Sequence, residues 1–181
     1  MAPENKVRFG LTNVHIAPII KTEDDKEIYG EVKRMRGAVE LTLEPNGEMT
    51  PFYADNSVFH TFASNSGYEG SLNIAEIPEF FLTDILGEKK VDGVLAEDIN
   101  AKAKHFALMF EFDGDVKATR HTLYNVSVSR PGTSSSTKTA TAEPTTQELS
   151  FVASPTIDGV VKRSTTAETP DAVYDAWYDS V

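Results

Sequence analysis

The sequence predicts a mainly β protein, a β-sandwich or partly closed antiparallel barrel of roughly eight to ten short strands with two short flanking α-helices. Three observations carry that expectation. In residues 105–130, Phe106, Leu108, Phe110 and Phe112 fall on alternate positions, and so do Thr122, Tyr124, Val126 and Val128; period two marks paired strands with one face on a core. Turn pairs such as Asn46-Gly47, Asp92-Gly93 and Asp113-Gly114 punctuate the chain, and Asn, Asp and Gly reach the backbone angles that tight reversals need. Helical spacing of apolar residues shows only after Pro78 and after Pro170.

In chain order, Val7, Phe9 and Leu11 alternate, and Val14 and Ile16 resume in shifted phase. Residues 6–20 therefore read as a strand with a bulge at Thr12 and Asn13. Residues 21–26 read as a charged turn and 27–33 as a short return strand. Val39, Leu41 and Leu43 define the dry face of the next strand, and Glu40, Thr42 and Glu44 its wet face. Pro45, Asn46 and Gly47 then read as a hairpin turn. Residues 49–53 and 57–62 are further extended pieces parted by Asp55 and Asn56, and Asn65, Ser66 and Gly67 mark a turn before 69–77, where Leu72 and Ile74 alternate with Ser71 and Asn73.

Pro78 suits the first position of a helix and Gly87 its stop. Phe81 with Ile85, and Leu82 with Leu86, form its apolar stripe. Asp92-Gly93 between Val91 and Val94 makes a small hairpin, and Asp113, Gly114 and Asp115 turn the central one. Leu149, Phe151 and Ala153 restore alternation, and residues 159–164 extend or pair with that strand. Thr169 as cap and Pro170 as first helical residue open a closing helix through about Ser180. On it Val173, Tyr174, Trp177, Tyr178 and Val181 form a docking arc, opposite a solvent stripe of Asp171, Asp175 and Asp179.

At 181 residues, the chain has the length of one domain with a core that needs no staples, so one domain over residues 1–181 is expected. It contains no cysteine, which removes disulfides and thiolate metal sites. No apolar run resembles a signal peptide or reaches bilayer length, so a soluble chain not exported by a cleaved signal is expected. Lys and Arg number 17 against 28 Asp and Glu, a net charge of −11. Phosphate capture depends on local cations, which disfavours tight nucleic-acid binding. An acidic wall past which a polyanion slides is a different matter.

His15, His60, His105 and His121 show no metal-ligand spacing, and the chain has no HExxH, nucleophile elbow, phosphate loop or EF-hand. Glu111, Asp113 and Asp115 could form an acid/base pair or a hard-cation site, but a turn between two hydrophobic strands explains the Asp-Gly-Asp with no further assumption and is the preferred reading. Tyr53, Tyr68, Tyr124 and Trp177 could stack on a sugar, yet aromatics at alternate positions also fill cores. Lys117, Arg120 and Arg130 are too few for a nucleic-acid footprint. No catalytic, cofactor-binding or metal-binding residue is assigned. Residues 131–146, rich in Ser and Thr, cannot bury enough surface to offset their ordering entropy, so they read as a long loop that is mobile or functional.

The segment FALMFEFDGDVKATRHTLYNVSVSRP, with the Ser/Thr loop and TQELSFVASP after it, resembles the major tail protein family of bacteriophages with long, non-contractile tails. VRFGLTNVHIAPI, GAVELTLEPNGEMTPFYADN, GYEGSLNIAEIPEFFLTDILGE and TTAETPDAVYDAWYDSV look like the same family in the same order, so the resemblance is collinear over nearly the whole chain. The immunoglobulin-like domain that some members carry after the final helix has no counterpart in it. The resemblance implies a tail-tube subunit of the virion, made and assembled in the cytoplasm of the bacterial host. Such subunits form hexameric rings stacked into a tube, meet tape-measure, tail-tip and tail-terminator proteins, and let viral DNA pass without specific binding.

On that reading the N-terminal arm, residues 1–6, and the loop become ordered on neighbouring subunits, with Thr133, Ser134, Ser135, Ser136, Thr137, Lys138 and Thr139 as contact residues. The competing readings are a tail-terminator or decoration protein, a carbohydrate- or receptor-binding β-sandwich, and a hydrolase using Asp113 and Asp115.

Overall fold

The computed structural model describes residues 4–23, 26–135, 137 and 144–181. Its first half comprises β1 (Arg8–Glu23), β2 (Lys26–Tyr29), β3 (Lys33–Arg34), β4 (Ala38–Asn46), β5 (Met49–Ala54), β6 (Ser57–Ala63), β7 (Gly67–Ile74) and helix α1 (Glu79–Asp84). The second half comprises β8 (Lys89–Val91), β9 (Val94–Ala96), β10 (Phe106–Gly114), β11 (Thr119–Val128), β12 (Gln147–Ser154), β13 (Lys162–Ser164) and helix α2 (Asp171–Asp175), which runs into a 3₁₀ turn at Ala176–Tyr178. The protein is thus mainly β with two short helices. Four of its strands, β3, β8, β9 and β13, are only two or three residues long, which takes the total above the eight to ten expected.

One antiparallel sheet organises the molecule in the order β2-β1-β10-β11-β12-β7-β4, with β3 also on β1 and β13 also on β11. The sheet rolls until β4 lies alongside the start of β1. No ladder joins β4 to β1 among the described residues. Of the two architectures expected, this is the partly closed barrel. Its interior holds Val14, Ile16, Leu72, Ile74, Phe106, Leu108, Phe110, Leu123, Val126, Leu149, Phe151 and Ala153, and α1 with the two residues that follow it adds Phe81, Ile85 and Leu86. Each fully buried Phe, Leu or Ile contributes about 1.5–3 kcal/mol, so α1 fastens itself through the stripe its spacing announced.

Helix α1 follows Pro78, which sits at the cap with extended angles rather than in the first turn, and Gly87 (φ 78°) leaves the helix in the left-handed region. Likewise Pro170, not Thr169, caps α2, and Thr169 Oγ1 instead accepts the Thr166 N–H. The bulge in β1 falls where the phase changed: pairing with β10 shifts between Thr12 and His15, with Asn13 at φ 51°. Beyond it β1 continues as strand through Glu23 and pairs with β2, where a charged turn was expected. Residues 24 and 25 of that turn lie outside the described residues. Val39 departs from the dry face of its strand, because the β4–β7 register shifts between Ala38 and Glu40, and it is exposed.

The central strand β10 is buried on both faces over its first six residues, not on one. Phe106, Leu108 and Phe110 enter the core, while Ala107, Met109 and Glu111 lie under the opposite cover, which the C-terminal residues help to form. Glu111 accepts hydrogen bonds from Arg120 Nε (2.7 Å), Asn13 Nδ2 (3.2 Å), Thr12 Oγ1 (3.4 Å) and the Tyr178 hydroxyl (3.5 Å). The Arg120 guanidinium lies over the ring of Tyr174 and donates to its carbonyl, and Tyr178 stacks on His15 at 4.4 Å. The aromatic residues of the closing segment therefore dock as expected. Burial raises the Tyr178 hydroxyl pKa and lowers that of His15. Among the described residues no helix is long and apolar enough to cross a membrane.

Candidate assembly surfaces

Two surfaces of the rolled sheet are unusual for a chain that stays alone in water. The first is an arm. Among the described residues β5 and β6 pair only with each other, reversing at Asp55 and Asn56, whose φ of 50° and 58° suit a type I′ turn. Their ladder prolongs that of β4 and β7 through Ser66 N–H to Asn46 O (2.7 Å) and Ser64 N–H to Glu48 O (2.9 Å). Asn46-Gly47 and Asn65-Ser66-Gly67 therefore do not reverse the chain. They face each other across the base of the arm, where a Cβ on Gly47 would stand 2.1 Å from the Ser64 carbonyl oxygen.

The arm is apolar on both faces. Phe52 and His60 are directly paired, with Phe62 two residues beyond His60 and edge-on to it at 4.8 Å, while the bulged Phe59 meets Phe52 edge-on at 6.5 Å. The other face carries Met49, Pro51, Tyr53 and Val58. Met49 is 79% exposed, Phe59 71% and Tyr53 65%, and Asp55 is the only charged residue in 49–63 at neutral pH. An isolated two-stranded hairpin is at best marginal in water, and clustered exposed apolar side chains mark interaction sites. From sequence, 49–53 and 57–62 read only as extended pieces. The signal was there in the apolar residues of both phases, which is the pattern of a strand covered on both sides.

The second surface is the outer face of β4, β7 and β12. The register aligns Glu44 with Glu69 and Val152, Thr42 with Ser71 and Ser150, and Glu40 with Asn73 and Glu148. Among the described residues this face carries four carboxylates, several hydroxyls and no cation, and Glu40, Glu44, Glu69 and Glu148 are exposed. Glu44 stands directly opposite Glu69, a like-charged pairing that costs the sheet stability; Asn46 Nδ2 offsets part of it by donating to Glu69 Oε1 at 2.8 Å.

The other predicted sites resolve differently. Thr133, Ser134, Ser135 and Thr137 are exposed in the β11–β12 connection, while Ser136, Lys138 and Thr139 lie outside the described residues. In the N-terminal arm, Asn5 accepts the Val116 and Lys117 N–H groups (3.0 Å each), and the Lys6 N–H donates to Asp115 (2.8 Å). Residues 5 and 6 are thus anchored within the chain rather than left for a neighbour, and residues 1–3 lie outside the described residues.

Glu111, Asp113 and Asp115 do not act as one group: Glu111 is bound to Arg120, and Asp115 holds the N-terminal arm. His15 donates through Nδ1–H to Asn13 O at 2.7 Å, His105 bonds Asn125, His60 lies on the arm and His121 stacks on Phe110. Among the described residues no group of three His, Asp or Glu could hold a metal ion. Tyr53, Tyr68, Tyr124 and Trp177 make no ring contact with one another among the described residues. Arg120 and Arg130 pair with Glu111 and Glu97, and Lys117 with Asp171.

No known protein-family model matches the chain. Nor does any curated protein match it.

Proposed function

We propose that this chain is a structural virion protein and not an enzyme: the major tail-tube subunit of a long, non-contractile bacteriophage tail, assembling as stacked hexameric rings around the passage for the genome. The observation that carries the reading is the arm, a hairpin with large apolar side chains on both faces and nothing within the described chain to cover them. A surface of that kind suits a protein whose working form is an assembly. The cation-free outer face of β4, β7 and β12 fits the passage, since fixed carboxylates repel phosphates within a Debye length of about 8–10 Å and discourage sticking. The collinear resemblance of the sequence to tail-tube proteins supplies the specific family.

In this reading the arm, the 131–146 loop and the open edge of β4 make the contacts between copies. Tape-measure, tail-tip and tail-terminator proteins meet the tube, and assembly takes place in the cytoplasm of the bacterial host. Negative-stain electron microscopy beside light scattering, over a concentration series, tests it. Stacked hollow rings are expected. Single rings that never stack would point to a terminator or decoration protein. A strict monomer that persists after tail-tip and tape-measure proteins are added would overturn the reading.

A further inference from the structure

The arm has a complementary surface on the same chain. Where the sheet fails to close, the start of β1 and the start of β4 enclose an open groove of about 390 Å³ lined by Arg8, Phe9, Gly10, Leu11, Val39, Glu40, Leu41 and Phe112. Phe9 and Val39 are more than half exposed in it, and Arg8 has no ion-pair partner among the described residues. The arm brings aromatic side chains and, at its tip, one carboxylate, Asp55.

A chain cannot fill its own groove. The groove borders residues 39–41 of β4 and the arm leaves from the other end of that strand. With a rise of about 3.3 Å per residue, Leu41 and Asn46 are separated by roughly 16 Å, and the arm extends by roughly 20 Å more. Pairing with β7 along the whole of β4 holds it extended. The occupant is therefore another molecule, and a second copy has the matching chemistry. Pro51 also lacks a backbone donor and sits in β5, where it discourages strand addition along that edge, so the arm docks through its side chains.

We propose that the arm of one copy lies in the β1/β4 groove of the next, with Phe52, Phe59 and Phe62 against Phe9 and Val39 and with Asp55 directed to Arg8. The contact is head-to-tail, because donor and acceptor are different surfaces, and such contacts generate rings or open filaments. It rests on the self-assembly reading and gives that reading its repeating joint. The arm has fewer residues than the about 20–30 a side of a standard interface, so the joint works together with other contacts in an assembly.

The chain contains no cysteine, which makes crosslinking decisive. Phe59→Cys and Val39→Cys are introduced into separate copies, and a short bis-maleimide is added to each alone and to the mixture. Crosslinked dimer is expected in the mixture and at least tenfold less in either variant alone. Adding Asp55→Lys to the Phe59→Cys copy should lower the yield several-fold, and adding Arg8→Glu to the Val39→Cys copy should restore it. Dimer from Phe59→Cys alone would mean that arms pack symmetrically on arms and would overturn the proposal. Absence of mixed dimer up to millimolar protein would overturn it as well, whether or not assemblies form. Mixed dimer without hollow tubes in the microscope would leave the joint standing and remove the tail-tube reading; tubes without mixed dimer would do the reverse.

Discussion

Glu111 shows how single residues hold the two covers of the sheet together. Its carboxylate is buried beneath Tyr178 and is balanced by Arg120, whose guanidinium also lies under Tyr174. Breaking a buried ion pair leaves a charge without compensation and costs about 3–5 kcal/mol, whereas replacing both partners with apolar groups can be nearly neutral. Arg120→Met should therefore lower the denaturation midpoint, and Glu111→Leu with Arg120→Met should recover much of the loss. Trp177 is the only tryptophan and its indole N–H is buried, so a red shift of its emission in Arg120→Met would report the release of the C-terminal segment. An unshifted midpoint in the single variant would contradict this account.

His121 acts in the opposite sense. It is buried with Nε2 unpartnered among the described residues, and its pKa is pushed down to about 4 by desolvation first, then by the charges of Arg8 and Lys162. The unfolded chain would bind the proton from about pH 6.5 downward, while the folded one resists it until about pH 4. Stability from this group is thus complete above pH 6.5, falls as the pH drops through that window and is fully lost below about pH 4. His121→Phe, which keeps the stack on Phe110, should flatten the fall in melting temperature between pH 6.5 and pH 5, leaving a residue from His15, whose pKa is also lowered. An unchanged slope would sink the assignment.

At the scale of elements, the sequence was most legible where the cause was local. The shifted phase at Thr12 and Asn13 became the β1 bulge, and Phe81, Ile85 and Leu86 became the buried stripe of α1 and its C-terminal end. Asp92-Gly93 became the tip of β8 and β9. It was least legible where a local signal had more than one tertiary use. Asn46-Gly47 describes a backbone that can bend, and it does not name the strand that follows; β4 pairs with β7, and the bend serves the base of the arm. Alternation in β10 revealed its core face, but Ala107, Met109 and Glu111 are buried on the other face too, and Glu111 meets Tyr178, far along the chain. The arm was the hardest case. Its apolar residues announce burial, and the surface that would bury them is outside the folded chain. The 131–146 loop raised the same question from the opposite composition.

At the scale of the whole molecule, the sheet has two outer regions of contrasting character. Over β1, β10 and β11 the C-terminal residues help to cover it, whereas over β4, β7 and β12 it is bare among the described residues and carries carboxylates without a cation there. Isolated folding does not explain Glu44 opposite Glu69, since that pairing works against the sheet. The tube reading proposed above would account for it, because repulsion from a wall is of use when a polyanion runs along it. On the tube reading this face lines the lumen, and its accessibility should then depend on the size of the probe. Thr42→Cys, in the middle of the face, should react with a small maleimide in both monomer and tube. It should react with a maleimide on a large polymer chain in the monomer and far more slowly in the tube, where only the open ends admit the polymer. Equal labelling of both forms by the large reagent would put the face on the outside. Protection from both reagents would place it in a dry contact between subunits, and either result would leave the acidic face without its role in the passage.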